Sequence, residues 1–281
     1  MQLNDHSSSK VTKMILIGDS GAGKTGSLAS LAWAGFNLRI LDFDSGLDIL
    51  SNLLRGEKTP YGPEAIKRIE YEPLTEKLVA MGGKLVRPLA TVWPRLTHLL
   101  TNWHGGIHSW GSEDVLVIDS LTRLADAAMN YVLRINGRPD GPPQLADWGA
   151  GQKLIKTVFE TLYDDNVKCN IIVIAHIAFI GEENGPQHGY PMSLGKALSP
   201  VIPTFFNSVI MVRRGQNGQR KIITTPQGLV ELKTSNPLTV KAEYGLEFGL
   251  AEFFRDLRGE PLPRDKNSTP TTPTTTTTKG K

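Results

Sequence analysis

Five short, nearly continuous apolar runs punctuate the chain: residues 14–17 (MILI), 38–43 (LRILDF), 115–118 (VLVI), 170–175 (NIIVIA) and 208–212 (SVIMV). Runs of this length, rich in Ile and Val, predict strands buried on both faces, as in a parallel sheet. Between them, apolar residues recur at helical spacing. Leu28, Leu31 and Ala32 follow the first run. Val92, Leu96, Leu99 and Trp103 mark a helix over residues 91–103, and Leu124, Ala128, Tyr131 and Val132 one over residues 121–135. Residues 152–163 and 246–257 predict two more helices. The alternation predicts an α/β fold with a mostly parallel central sheet flanked by helices.

Weaker patterns fill the gaps. Residues 66–71 read as a strand, and 81–87 as a segment broken by Gly82 and Gly83. Residues 221–225 and 229–232, joined at Pro226-Gln227-Gly228, predict a C-terminal β-hairpin. Residues 136–151 and 181–196 carry Gly and Pro without periodicity and predict long loops, the second flexible. Residues 1–10 predict a flexible lead-in, and 261–281, ending TPTTPTTTTTKGK, a disordered tail.

The first strand runs into Gly18-Asp19-Ser20-Gly21-Ala22-Gly23-Lys24-Thr25-Gly26, the G-x-x-x-x-G-K-[ST] pattern in a strand–loop–helix setting. Glycines let successive backbone N–H groups turn inward on phosphate oxygens. Lys24 reaches β- and γ-phosphates, and the Thr25 hydroxyl suits Mg²⁺, a cation that prefers oxygen ligands. The 115–118 run ends in Asp119, whose carboxylate completes such a Mg²⁺ site opposite the loop. Asp42 and Asp44 end the second strand. Their spacing places both on one face, where ligands of open α/β sheets bind, or else Asp44 or Ser45 caps the next helix. His176 tips the fourth strand, where an imidazole either senses a γ-phosphate or caps a loop. Arg213, Arg214, Arg220 and Lys221 form a basic cluster, read as nucleic-acid contact or as a solvated hairpin face. Trp93, Trp103 and Trp110 read as packing residues rather than base-stacking ones.

Composition narrows the classes little. With 40% hydrophobic and 21% charged residues, the chain is ordinary for a globular protein. A net charge of +3 permits a polyanionic partner without demanding one. The single cysteine, Cys169, argues against a disulfide framework and fits a reducing cytoplasm. No secretory leader is legible, and the apolar run at 171–180 is too short to span a bilayer, so no membrane association is expected.

The order of phosphate loop, acidic strand end, Asp strand and polar-tipped strand resembles the RecA-like core of the P-loop ATPases, over residues 12–259. It looks most like phage-encoded single-domain RecA-core ATPases, including Sak-type single-strand annealing proteins related to archaeal RadA and RadB. The segments GDSGAGKT, LDFDSG, VLVIDS, IIVIAHI and SLGKALSPVIPTFFNSVIMV carry the likeness. It implies an ATPase domain over residues 11–260 that uses ATP and Mg²⁺. In that family an acidic general base stands where Asp44 is, although the usual residue there is Glu. It implies a γ-phosphate sensor at His176 and a DNA-binding loop after it, and it leaves Lys196 as either a finger reaching a neighbouring subunit's γ-phosphate or a surface lysine beside a helix N-terminus. Single-stranded DNA, a homo-oligomer and a single-strand-binding or replication protein are the implied partners, in a bacterial host cytoplasm. Two rivals stand beside this reading: a nucleotide-gated adaptor or loader acting through a protein partner, and a P-loop kinase for a small acceptor.

Overall fold

The structure, a computed structural model, describes residues 11–56, 58–86, 89–181 and 185–266. The expected lead-in at 1–10 and most of the expected tail lie outside the described residues. In chain order come β1 (Lys13–Gly18), α1 (Lys24–Ser27), α2 (Ala29–Trp33), β2 (Asn37–Asp42), α3 (Asp48–Arg55) and β3 (Ile69–Pro73). A small hairpin of β4 (Val79–Met81) and β5 (Lys84–Val86) precedes α4 (Val92–Asn102), β6 (Asp114–Asp119), α5 (Leu121–Ile135) and α6 (Leu145–Tyr163). Then follow β7 (Asn170–Ala175), β8 (Ile177–Ile180), β9 (His188–Pro191), α7 (Gly195–Leu198) and β10 (Ser208–Arg214). The last elements are β11 (Arg220–Ile223), β12 (Glu243–Gly245), α8 (Leu246–Arg258) and α9 (Pro263–Lys266).

Eight strands form one sheet in the order β12-β11-β10-β1-β7-β6-β2-β3. From β10 to β3 every neighbouring pair is parallel, while β10–β11 and β11–β12 are antiparallel. The expected α/β class, parallel sheet and C-terminal hairpin are all present. Side chains alternate across the sheet. Ile15, Ile17, Leu116, Ile118, Ile171 and Val173 pack on the face covered by α4, α5 and α6. Met14, Leu16, Val115, Val117, Ile172 and Ile174 pack on the face covered by α2, α3 and α8. Both faces are dry, which is why these strands read as unbroken apolar runs.

Several local expectations are corrected. Helix α6 starts at Leu145, inside the segment read as a loop, because Gln144 and Asp147 form a reciprocal capping box and Arg138 ion-pairs with Asp147 at 2.8 Å. Its Gly151 lets Leu194 pack close to the helix, since a Cβ there would lie 2.5 Å from Leu194 Cδ2 and would push that side chain aside. The stretch read as a flexible loop at 181–196 contains β9, which pairs antiparallel with β8, and the first residues of α7. The partner of β11 is not 229–232, which makes only isolated bridges, but β10 and β12. The strand read at 66–71 starts later, at Ile69, after a 3-10 turn over Ala65–Arg68. Trp93 and Trp110 are buried, and Trp103 meets Trp110 edge-on at 6.0 Å, so all three pack. Cys169 is buried, and desolvation pushes its thiol up to about 12, so it is a core residue. Among the described residues, no helix is long and apolar enough to cross a membrane.

Candidate active site

The C-terminal ends of β1, β7, β6 and β2 frame the site. The register runs Leu16–Ile174–Asp119–Asp42 straight across these four strands. Strand β7 therefore separates the phosphate-loop strand from the Asp119 strand, and His176, two residues beyond Ile174, emerges between them. At the end of β1 the chain must turn close under β10. A Cβ on Gly18 would lie 2.4 Å from the Val212 carbonyl oxygen, so only glycine lets the loop leave there.

Lys24 opens α1 and folds over its own loop. Its Nζ donates to the Gly18 and Asp19 carbonyls, both at 2.8 Å. Desolvation lowers its pKa, opposed by the carboxylates of Asp119, Asp19 and Asp44. One residue on, the Thr25 hydroxyl donates to Asp119 Oδ2 at 2.6 Å. Asp119 is buried, and desolvation pushes its carboxyl up to about 6. The Thr25 hydrogen bond works against that rise, while Asp44 and Asp42 reinforce it. Next to it, Ser120 Oγ is buried with no hydrogen-bond partner among the described residues.

The two carboxylates after β2 do different things. Asp42 is the last residue of the strand and is buried, and its Oδ1 accepts the N–H groups of Asp44 (3.2 Å) and Gly46 (3.4 Å). Burial raises its pKa. It folds the turn, and the turn throws Asp44 outward, beyond the reach of strand alternation. Asp44 Oδ1 lies 3.7 Å from Arg123 Nε on α5. Neither Asp44 nor Ser45 caps α3, which begins at Asp48 after Leu47 without a side-chain cap.

Thr25, Lys24, Asp44, Asp119, His176 and Arg220 all line one cavity of about 340 Å³, with Ser20, Gly21, Gly23 and Gly26 of the loop on its floor. Asp44 also borders a second cavity, of about 500 Å³, with Phe43, Glu76, Arg123 and Asn130. Desolvation and the Lys24 charge lower the His176 pKa, and the Gly18 carbonyl works the other way. The His176 carbonyl accepts the Met192 N–H at 2.7 Å, so the residue anchors the β8–β9 hairpin at both its ends.

Lys196 is exposed on α7 and is not among the residues lining this cavity. Sequence reasoning missed Arg220 as a cavity residue. It stood among four basic residues, and only strand register separates it from Lys221, which ion-pairs with Glu243 at 2.5 Å. It also missed Ser120 and Ile49, whose placement depends on the fold.

The donor set fits a hard divalent cation. One hydroxyl and one carboxylate, already in contact, face a cavity with an unpartnered hydroxyl beside them. Among the described residues no group of three or more His, Cys, Asp or Glu is arranged to hold a metal, so phosphate and water oxygens would complete the shell, as Mg²⁺ prefers.

A phosphate loop, a hydroxyl–carboxylate pair and a parallel sheet presenting both at its strand ends define a P-loop nucleotide-binding protein. A family model described as an AAA domain, AAA_24, matches residues 10–235, and the chain belongs to that family. It is thus a P-loop ATPase of the AAA type. No curated protein matches the chain.

Proposed function

We propose that this chain is a RecA-like, Mg²⁺-dependent ATPase that acts on single-stranded DNA in phage-type recombination, annealing or replication. The observation that carries the nucleotide reading is the 2.6 Å contact between Thr25 and Asp119, residues 94 positions apart. Backbone N–H groups of residues 20–25 hold the triphosphate, and Lys24 exchanges its two carbonyl partners for phosphate oxygens. Thr25 and Asp119 hold Mg²⁺, which neutralises charge on the phosphates when bound. Asp44 orients the attacking water and accepts its proton, with Arg123 steadying the carboxylate. Support for that role is its place on the cavity wall, free of the turn-forming bonds that occupy Asp42.

His176 couples phosphate state to the β8–β9 hairpin through its backbone link to Met192. Phe179 on β8 is 55% exposed, and Tyr190 on β9 is half-buried beside His188, with ring centroids 6.4 Å apart. Aromatic faces of this kind stack unpaired bases with little sequence preference. In a homo-oligomer, the exposed Lys196 reaches the γ-phosphate of the next subunit and stabilises transition-state charge. A single-strand-binding or replication protein is the expected accessory.

ATP turnover measured with and without single-stranded DNA, at two salt concentrations, tests this. Stimulation that weakens as salt rises is expected. Turnover indifferent to DNA would move the function to the nucleotide-gated adaptor. A second reading, a small-molecule kinase, is favoured by one observation, the 500 Å³ cavity that shares Asp44 with the phosphate cavity. Detection of a phosphorylated small product by mass spectrometry would establish it.

A further inference from the structure

The β10–β11 hairpin places one guanidinium group, that of Arg220, at the edge of the phosphate cavity. In its register Val212 faces Ile222 and Arg214 faces Arg220, while Val212 also pairs with Gly18 at the end of β1. Arg220 and Ile222 are two residues apart and so share a face. Ile222 packs with Leu16, Leu28 and Leu250, on the side of the sheet that carries the phosphate-loop helix. Arg220 thus extends over the loop itself. Its Cδ would stand 3.2 Å, and Leu246 Cδ2 2.7 Å, from a Cβ built on Gly23. Gly23, with φ +107°, is bare where the arginine stem crosses it.

Two further features point to an anion. Arg220 is exposed, lines the cavity, and forms no ion pair among the described residues. Its cross-strand neighbour is a second arginine, Arg214, also without an ion pair there. Like charges directly opposite each other on a hairpin are destabilising unless something negative lies between or beside them. Lys221, on the other face, already has Glu243.

We infer that Arg220 is a nucleotide ligand in its own chain, its guanidinium bonding to phosphate oxygens of a nucleoside di- or triphosphate held on residues 20–25. This rests on the nucleotide reading above. A planar fork matches phosphate geometry bidentately, and lysine retains only part of that.

The test is equilibrium binding of fluorescent ATP and ADP analogues, with Mg²⁺, to the full chain and to R220A, R220K and K221A. R220A is expected to bind both nucleotides at least tenfold more weakly, R220K to recover part of the loss, and K221A to stay within twofold. Circular dichroism melting of R220A should be no lower than the parent, since the side chain is exposed, forms no ion pair among the described residues and faces a second arginine. Parent protein that binds no nucleotide would sink the nucleotide reading itself. Parent protein that binds, with R220A within twofold of it, would overturn this inference alone. Recovery of tight binding in an equimolar mixture of R220A and K24A would place the arginine on a neighbouring subunit and overturn the assignment in its own chain.

Discussion

At the scale of single residues, Asp119 has the most to say. Its folded pKa is raised, so the stability it lends the nucleotide-free fold is present below the ordinary carboxylate value of 3.8 and is lost as pH rises through about 6. Asp119→Asn should therefore raise the melting temperature of the nucleotide-free protein at pH 8, by about 2–4 °C for each ~1 kcal/mol relieved in a domain of this size. It should also abolish Mg²⁺-dependent nucleotide binding, and calorimetry can read both. In the parent, Mg·ATP affinity should fall as pH drops through about 6, with proton release on binding at pH 5.5 and little at pH 8. A flat profile would mean that Asp119 does not meet the metal. Lys24→Ala should eliminate nucleotide binding. Asp44→Asn should keep binding while turnover drops about 10²-fold or more, the usual worth of a positioned base. The pairing of Asp42 with Asp44 was visible in sequence, but their division of labour was not. It depends on which backbone N–H groups point back at Asp42, a property of the turn and not of the residue types.

Among elements, the five buried strands were legible because burial on both faces leaves an uninterrupted apolar run, and α5 was legible to the residue at both ends. Short edge strands carry no such signal. Glu243–Gly245 has one buried side chain, Tyr244, and is held mainly by its register with β11. Helix α6 was half missed because Gly149 and Gly151 oppose helix by propensity while its capping box favours it, and tertiary packing decides. The position of Arg220 rests on the same non-local register, so the candidate site was readable in its loop and strand-tip residues and unreadable at its rim. The β8–β9 hairpin yields the element-scale prediction. Replacing residues 178–190 by a Gly-Ser-Gly turn should leave nucleotide affinity within about twofold and remove the DNA effect on turnover. An intact DNA effect would detach the hairpin from that role. In the core, Phe159 is buried against Phe205 and Phe206, and Phe159→Ala should cost about 3–5 kcal/mol by chemical denaturation.

Over the whole molecule, the C-terminal segment is a structural clamp. Arg258 lies over the rings of Phe36 and Phe254, at 5.2 and 5.0 Å, and bonds to Thr12 and to Asn170 of β7. Beyond it, Leu262 is buried and the Arg264 N–H donates to the Ala34 carbonyl at 2.8 Å. Truncation after Gly259 should lower the melting temperature by several degrees, while truncation after Lys266 should leave it unchanged, because the Thr/Pro-rich remainder has too little apolar surface to bury. A large loss on the second truncation would refute that view of the tail.

Gly23 sits beneath Leu246 and Arg220, so the loop is made early and covered late. A ribosome adding roughly 5–20 residues per second needs on the order of ten seconds or more to travel from one to the other. During that interval the nascent loop has neither the leucine that roofs Gly23 nor the arginine stem that crosses it, so the loop's covering is completed only when the start of α8 has been made.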